Sequence, residues 1–179
     1  FLNLRIIPGS PRNSPDYHGD WFDDEWWQLI VHNARAAAAV AKEGGLKGIL
    51  LDTEAYHGNP WNFTVQKHRE DKNFQEYVGK ARERGRQVIK AINSVYPDIT
   101  LIVILSTSFT AQEVLRGDKV PVAKSDSGLL PSFIDGIIEA STPQTTLIDG
   151  YESAYPLTEY PQFVDARALM TTESAALSA

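Results

Sequence analysis

The sequence contains no cysteine, so it has neither disulfides nor a thiolate metal site, and its redox compartment stays open. It has no apolar run near the roughly 18 residues of a membrane-spanning helix. It also lacks the phosphate-binding patterns GxGxxG and GxxxxGK[ST]. A formal net charge of -6 argues against nucleic acid and against an anionic membrane as partners. We therefore expect neither a nucleic-acid partner nor a membrane partner.

The chain opens without a methionine, inside the apolar run Phe1–Ile7. We therefore expect a processed N-terminus or a piece of a longer protein, and we favour a secreted or periplasmic location. A length of 179 residues is enough for one domain with a sizeable core. Since no domain boundary stands out, we predict a single domain over residues 1–179.

Strand-like apolar runs alternate with helical patterns along the whole chain. Strands are predicted at Phe1–Ile7, Gly48–Glu54, Ile99–Leu105 and Thr145–Tyr151, and helices at Asp23–Lys42, Glu70–Val95, Leu130–Ala140 and Gln162–Ala176. Strict alternation predicts an α/β fold with a parallel sheet. The connections after strands are long and polar, while those after helices are short, which is typical of a barrel with its function at one face.

Four such units make about half of a complete (β/α)8 barrel, which usually needs roughly 250 residues. We therefore predict a parallel (β/α) barrel that is partial, with about four β/α units. The alternative is a small, open, doubly wound sheet. An incomplete barrel leaves two open edges and an exposed apolar interior, so it also predicts self-association.

Two acidic residues follow the apolar run of the second predicted strand. Because alternate side chains of a strand share a face, Asp52 and Glu54 should point the same way, at the end where parallel α/β folds bind ligands. Glu152 comes just after the fourth predicted strand, so one parallel sheet would bring all three acids to the same pocket. Two carboxylates across a cleft suit glycosidic bond hydrolysis, where one protonates the leaving oxygen and the other attacks or activates water.

Aromatic residues accompany these acids, and aromatic faces suit stacking against the apolar face of a sugar ring. The predicted substrate-binding residues are Tyr56, Trp61, Tyr151 and Tyr155. Trp26 and Trp27 lie on a predicted helix and are expected in the core. A metal site at His18 and His57 lacks the HxH or HExxH spacing, so we predict no metal and no cofactor.

The segment Gly48–Glu54, GILLDTE, resembles DGxDxDxE, the fourth-strand motif of the family 18 chitinase-like glycoside hydrolases. The match covers the glycine, the last Asp and the Glu, while the two earlier Asp positions of the motif fall on Lys47 and Leu50. Tyr151-Glu152 resembles the Tyr-Asp pair that this family carries at a later strand end. The resemblance implies a (β/α)8 barrel with Glu54 as general acid and Asp52 as the residue that assists the N-acetyl group of the substrate.

Together, these features predict a hydrolase that cleaves O-glycosidic bonds in a poly- or oligosaccharide. Glu54 would donate the proton, and Asp52 would tune its pKa or steady the developing positive charge. Tyr151 and Glu152 would contact the sugar or the reacting centre. One alternative is a non-catalytic glycan-binding or scaffold barrel, since Lys47 and Leu50 would fit a decayed site. Another is a lyase or a metal-dependent hydrolase on a barrel or an open sheet.

Overall fold

The computed structural model of the chain describes residues 1–7, 19–55, 58–117 and 119–178, and its centre is a parallel β-sheet. The four strands are β1 (Leu2–Arg5), β2 (Gly48–Asp52), β3 (Thr100–Val103) and β4 (Thr146–Asp149). Each strand pairs in parallel with the next one along the chain, so the order is β1-β2-β3-β4. The predicted α/β class with a parallel sheet is confirmed, and each strand is shorter than predicted.

Five α-helices accompany the sheet. They are α1 (Asp24–Glu43), α2 (Phe74–Asn93), α3 (Thr107–Ala111), α4 (Leu130–Ala140) and α5 (Tyr160–Ala168). Helix α3 lies in a segment expected to be a connection, because five residues are too few for a periodic apolar stripe. Helix α2 starts later than predicted because the Asn73 side chain caps the N–H of Glu76. Across the described ranges, every helix is too short or too polar to cross a bilayer.

The strand register sorts the side chains onto two faces of the sheet. One face carries Leu2, Ile49, Leu101 and Leu147 at one level and Leu4, Leu51, Val103 and Asp149 at the next. Its central residues Ile49, Leu51 and Leu101 are completely buried in a core shared with α1, α2 and α4. Trp26 and Trp27 of α1 belong to this core, as predicted.

The opposite face of the sheet is poorly covered. Leu50 and Ile102 are aligned on it with Ile148, whose side chain is 42% exposed. Leu50 and Ile102 are only half-buried, whereas their neighbours on the helix side are buried. Within the described residues, β1 and β4 form the two edges of the sheet. This face is therefore an apolar surface that the described helices leave uncovered.

Helices α2 and α4 approach each other closely through glycine. A Cβ on Gly85 would lie 2.0 Å from the carbonyl oxygen of Phe133, and a Cβ on Gly136 would lie 2.0 Å from that of Arg82. Because both neighbours are backbone carbonyl oxygens, neither could make room for a Cβ without a shift of the helix to which it belongs. The crossing sets the position of α4, which leads directly into β4.

We predict that Gly85→Ala lowers the free energy of unfolding by about 1–3 kcal/mol, the usual cost of overpacking. The matched control is Gly79→Ala on the same helix, where a Cβ would meet nothing within 4 Å. The control should raise stability by up to about 1 kcal/mol, because alanine is the better helix former. Urea denaturation measures both changes. Equal stability of the two variants would contradict the close approach of α2 and α4.

Candidate active site

The first part of the site is the end of β2, where Asp52 closes the strand. Its side chain is buried, its Oδ1 accepts the backbone N–H of Glu54 at 2.9 Å, and its Oδ2 lies 3.6 Å from Nε of Arg5 on β1. These contacts turn the chain immediately after the strand. The half-buried Glu54 therefore lies in the loop beyond β2, so the prediction that the strand reaches Glu54 is wrong. Asp52 satisfies a backbone N–H that the strand ladder leaves free.

The second part of the site is the end of β4. Gly150 donates its N–H to the carbonyl of Val103 at 2.7 Å, and Tyr151 donates its N–H to Oδ1 of Asp149 at 3.0 Å. Tyr151 has a left-handed backbone with φ 40° and ψ 63°. Glu152 opens a single 3-10 turn at Glu152–Ala154. The strand thus ends at Asp149, short of the predicted Tyr151.

A groove of about 410 Å³ lies on the uncovered face, at the carboxyl end of the strands. It is lined by Leu50, Ile102, Ile104, Gly150, Tyr151, Glu152, Ala154 and Tyr155. Three aliphatic side chains from β2 and the end of β3 make its floor, and the segment after β4 makes its wall. The groove therefore brings Tyr151, Glu152 and Tyr155 together on an apolar surface. Tyr155 stands at the rim with 85% of its surface exposed.

The carboxylates at the end of β2 act on the carboxylate that follows β4. Burial raises the pKa of Glu152 above its ordinary value, and the negative charges of Glu54 and Asp52 raise it further. Like charges have this effect only at short range or across a medium of low dielectric constant. The acids after β2 and β4 therefore belong to one electrostatic site.

Two neighbours of Glu152 also have shifted acidities. Burial raises the pKa of Asp149, while hydrogen bonds, among them one from the N–H of Tyr151, oppose the rise. Burial also raises the pKa of the Tyr151 phenol, and the positive charge of Arg116 opposes this. Both groups thus lie in partly desolvated surroundings, Tyr151 in the groove and Asp149 on the helix-facing side of the sheet.

Trp61 occupies the core, which corrects its interpretation as a sugar platform. Only 3% of its surface is exposed, and its ring packs at 5.4–5.6 Å from those of Phe133 and Trp21. Its indole N–H donates to the carbonyl of Thr53 at 2.7 Å. A ring that is packed in this way has no free face for a sugar. Trp61 instead holds the loop after β2, from which Glu54 projects.

Three residues singled out in the sequence, His18, Tyr56 and His57, lie outside the described residues. In the described part of the chain, no group of three or more His, Asp or Glu side chains is arranged to hold a metal ion. The substrate-binding role of Tyr56 stays a prediction.

The sequence reasoning missed two components of the site. The first is the floor made by Leu50, Ile102 and Ile104. In the sequence these residues have the pattern of ordinary buried strand residues. The signal that would have identified it is the alternation along β2 and β3, because these residues share a face opposite the helices. The second is Asp149, which could have been recognised as an acid before Gly150 at a strand end, a combination typical of turns.

Comparison with family models, with curated proteins and with solved structures finds no match to this chain.

Proposed function

We propose that this protein is a glycoside hydrolase that cleaves O-glycosidic bonds in a poly- or oligosaccharide by carboxylate acid–base catalysis. The observation that carries the proposal is the position of Glu152. It lines an open groove at the carboxyl end of a parallel sheet, and the carboxylates of Glu54 and Asp52 influence its pKa. Glycosidic hydrolysis requires one protonated and one ionised carboxyl group flanking the scissile bond.

We assign the proton donor to Glu152 rather than to Glu54. A general acid must keep its proton near the working pH, and a raised pKa has that effect. Glu152 lines the groove and has a raised pKa, and the negative charge of Glu54 contributes to that rise. Glu54 then supplies the ionised carboxylate that attacks the sugar or activates water. Asp52 directs Glu54 through its hydrogen bond to the Glu54 backbone and is itself paired with Arg5.

The shape of the groove suits a sugar ring. A pyranose offers an apolar face of C–H groups and a rim of hydroxyls. The floor of Leu50, Ile102 and Ile104 can receive the apolar face, and the exposed ring of Tyr155 can stack on the next unit of an oligosaccharide. The Tyr151 hydroxyl is a hydrogen-bonding group for the sugar rim.

The consecutive order of the strands supports membership in a (β/α)8 barrel. A doubly wound sheet reverses its strand order at a switch point, whereas barrel strands follow one another around the ring. The order β1-β2-β3-β4 has no reversal. The four units would form about half of such a barrel, with the uncovered face as part of its interior.

A second candidate function is non-catalytic glycan binding. The observation that favours it is Leu50, an aliphatic floor residue at a position where the chitinase-like motif has an acid. This function retains the groove and Tyr155 but needs no proton transfer. It predicts binding without turnover, which survives Glu152→Gln and weakens on Tyr155→Ala.

The proposed hydrolysis is tested on a panel of soluble oligosaccharides, with reducing ends as the readout. Glu152→Gln and Glu54→Gln should each lower kcat by about 10²–10⁴-fold, the usual contribution of general acid–base assistance. The matched control is Glu70→Gln, because the Glu70 side chain is 81% exposed and is not among the residues that line the groove. The control should retain full activity.

The panel also separates the alternatives. Turnover that is unchanged in Glu152→Gln would refute the assignment of the proton donor. Binding without turnover in the unmodified protein would favour glycan recognition instead. Inactivation by a chelator would favour a metal-dependent hydrolase.

We further propose that the uncovered face drives self-association, because open strand edges and exposed apolar side chains favour pairing with another copy. Light scattering after gel filtration should detect more than one copy per particle. Ile148→Glu on this face should shift the protein towards monomer. The control Leu29→Glu should not, since Leu29 is 59% exposed but lies on α1. A monomer at all concentrations would contradict the proposal.

A further inference from the structure

The ends of β2 and β4 are built in the same way. At each end the last strand residue is an aspartate whose Oδ1 accepts the backbone N–H of the residue two positions later. The bond joins Asp52 to Glu54 at 2.9 Å and Asp149 to Tyr151 at 3.0 Å. In both places the chain turns sharply and then presents a glutamate. Glu54 and Glu152 thus each follow a turn that is capped by the last aspartate of a strand.

In the turn after β4, Tyr151 has a backbone conformation that residues other than glycine rarely adopt. Its φ of 40° lies in the left-handed region, which glycine enters freely and tyrosine does not. Such a conformation persists only where surrounding contacts impose it. Two bonds surround this residue: its N–H donates to Asp149, and its carbonyl accepts the N–H of Ala154 at 2.9 Å.

The position of Gly150 leaves little freedom to the turn. A Cβ at this position would lie 2.7 Å from the carbonyl oxygen of Val103, so the backbone passes directly against β3. Its N–H is already bonded to the same carbonyl. The strand side of the turn is therefore fixed, and the cap from Asp149 holds the first residue of the segment that continues to Glu152.

Asp149 itself is in unfavourable surroundings for an acid. It lies on the helix-facing side of the sheet in register with Val103, and burial raises its pKa. Burying a carboxyl group costs stability unless hydrogen bonds offset the loss of water. Asp149 receives such bonds from Ser108, from the N–H of Tyr151 and from Ser106. The acid therefore connects the turn at Tyr151 with the start of α3, which an aliphatic residue could not do.

We propose that Asp149 is a positioning residue for Glu152: its carboxylate caps Tyr151, imposes the left-handed turn and thereby sets the glutamate into the groove. The inference rests on the proposed role of Glu152 as proton donor. It extends that proposal to a residue that lies on the far side of the sheet from the substrate.

The test compares Asp149→Ala with Asp149→Asn. Asparagine retains an oxygen that can accept the Tyr151 N–H, whereas alanine does not. We expect Asp149→Ala to lower kcat by about 10- to 100-fold, since small misplacements of catalytic groups have effects of this order. KM should change little, because proton donation acts in the transition state. Asp149→Asn should restore most of the activity.

A readout that does not depend on activity separates this inference from the proposed function. Carbon-13 NMR of the side-chain carboxyl follows the titration of Glu152. Asp149→Ala should shift this titration, Asp149→Asn should leave it close to that of the unmodified protein, and Asp98→Ala, at an exposed position, should have no effect. A shifted titration in a protein without glycosidase activity would refute the proposed function and retain the positioning role.

If Asp149→Ala does not fold, the substitution is repeated in a Tyr151→Gly background. Glycine adopts the left-handed conformation without a cap, so the alanine variant should fold there and Glu152 should titrate as it does in the Tyr151→Gly single variant. Unfolding in that background as well would overturn the inference, because Asp149 would then be needed for the core rather than for the turn. A folded Asp149→Ala single variant with an unchanged Glu152 titration would also overturn it.

Discussion

Parallel pairing of neighbouring strands is the constraint on which the whole site depends. Leu51, Val103 and Asp149 lie in register, so the chain leaves β2, β3 and β4 at nearly the same level. Because the strands run in the same direction, all of these exits lie at one edge of the sheet. An antiparallel neighbour would have sent either Glu54 or Glu152 to the opposite edge. The proximity of the acids thus follows from topology rather than from any contact between the loops.

The second constraint is the repulsion between like charges. Three carboxylates that share one partly desolvated site cannot all ionise without cost, so one retains its proton to higher pH. Asp52 forms an ion pair with Arg5 and accepts the backbone N–H of Glu54. The pKa of Glu152 is raised by burial and by the charges of Glu54 and Asp52. The proposed division of roles between the two glutamates is based on this difference in surroundings.

The sequence allowed the parallel sheet, its four strands and four of the helices to be predicted. In a chain where strand and helix patterns alternate, a short apolar run such as ITLIVIL at residues 99–105 indicates a buried strand. Helix α4 was predicted to the residue, because Pro131 and the apolar stripe mark it clearly. The short helix α3 was missed, since five residues carry no periodic signal.

The site was less accessible to prediction. Acids after strands are visible in a sequence, and Glu54 and Glu152 could be selected on that basis. The position of an aromatic ring is not visible: Trp61 follows a proline in a polar loop, yet its ring is packed between Trp21 and Phe133. Tertiary packing decides whether such a ring faces solvent. The raised pKa of Glu152 likewise depends on burial and on nearby charges, which only the folded chain supplies.

The central claim is that Glu152 and Glu54 share one site in which Glu152 retains the proton. The most direct test is the carboxyl titration of Glu152 by carbon-13 NMR, in the unmodified protein and in Glu54→Gln. The account predicts that Glu152 titrates above the ordinary glutamate value of about 4.3 and that removal of the Glu54 charge lowers its pKa. A Glu152 that titrates at the ordinary value, with no response to Glu54→Gln, would contradict the account.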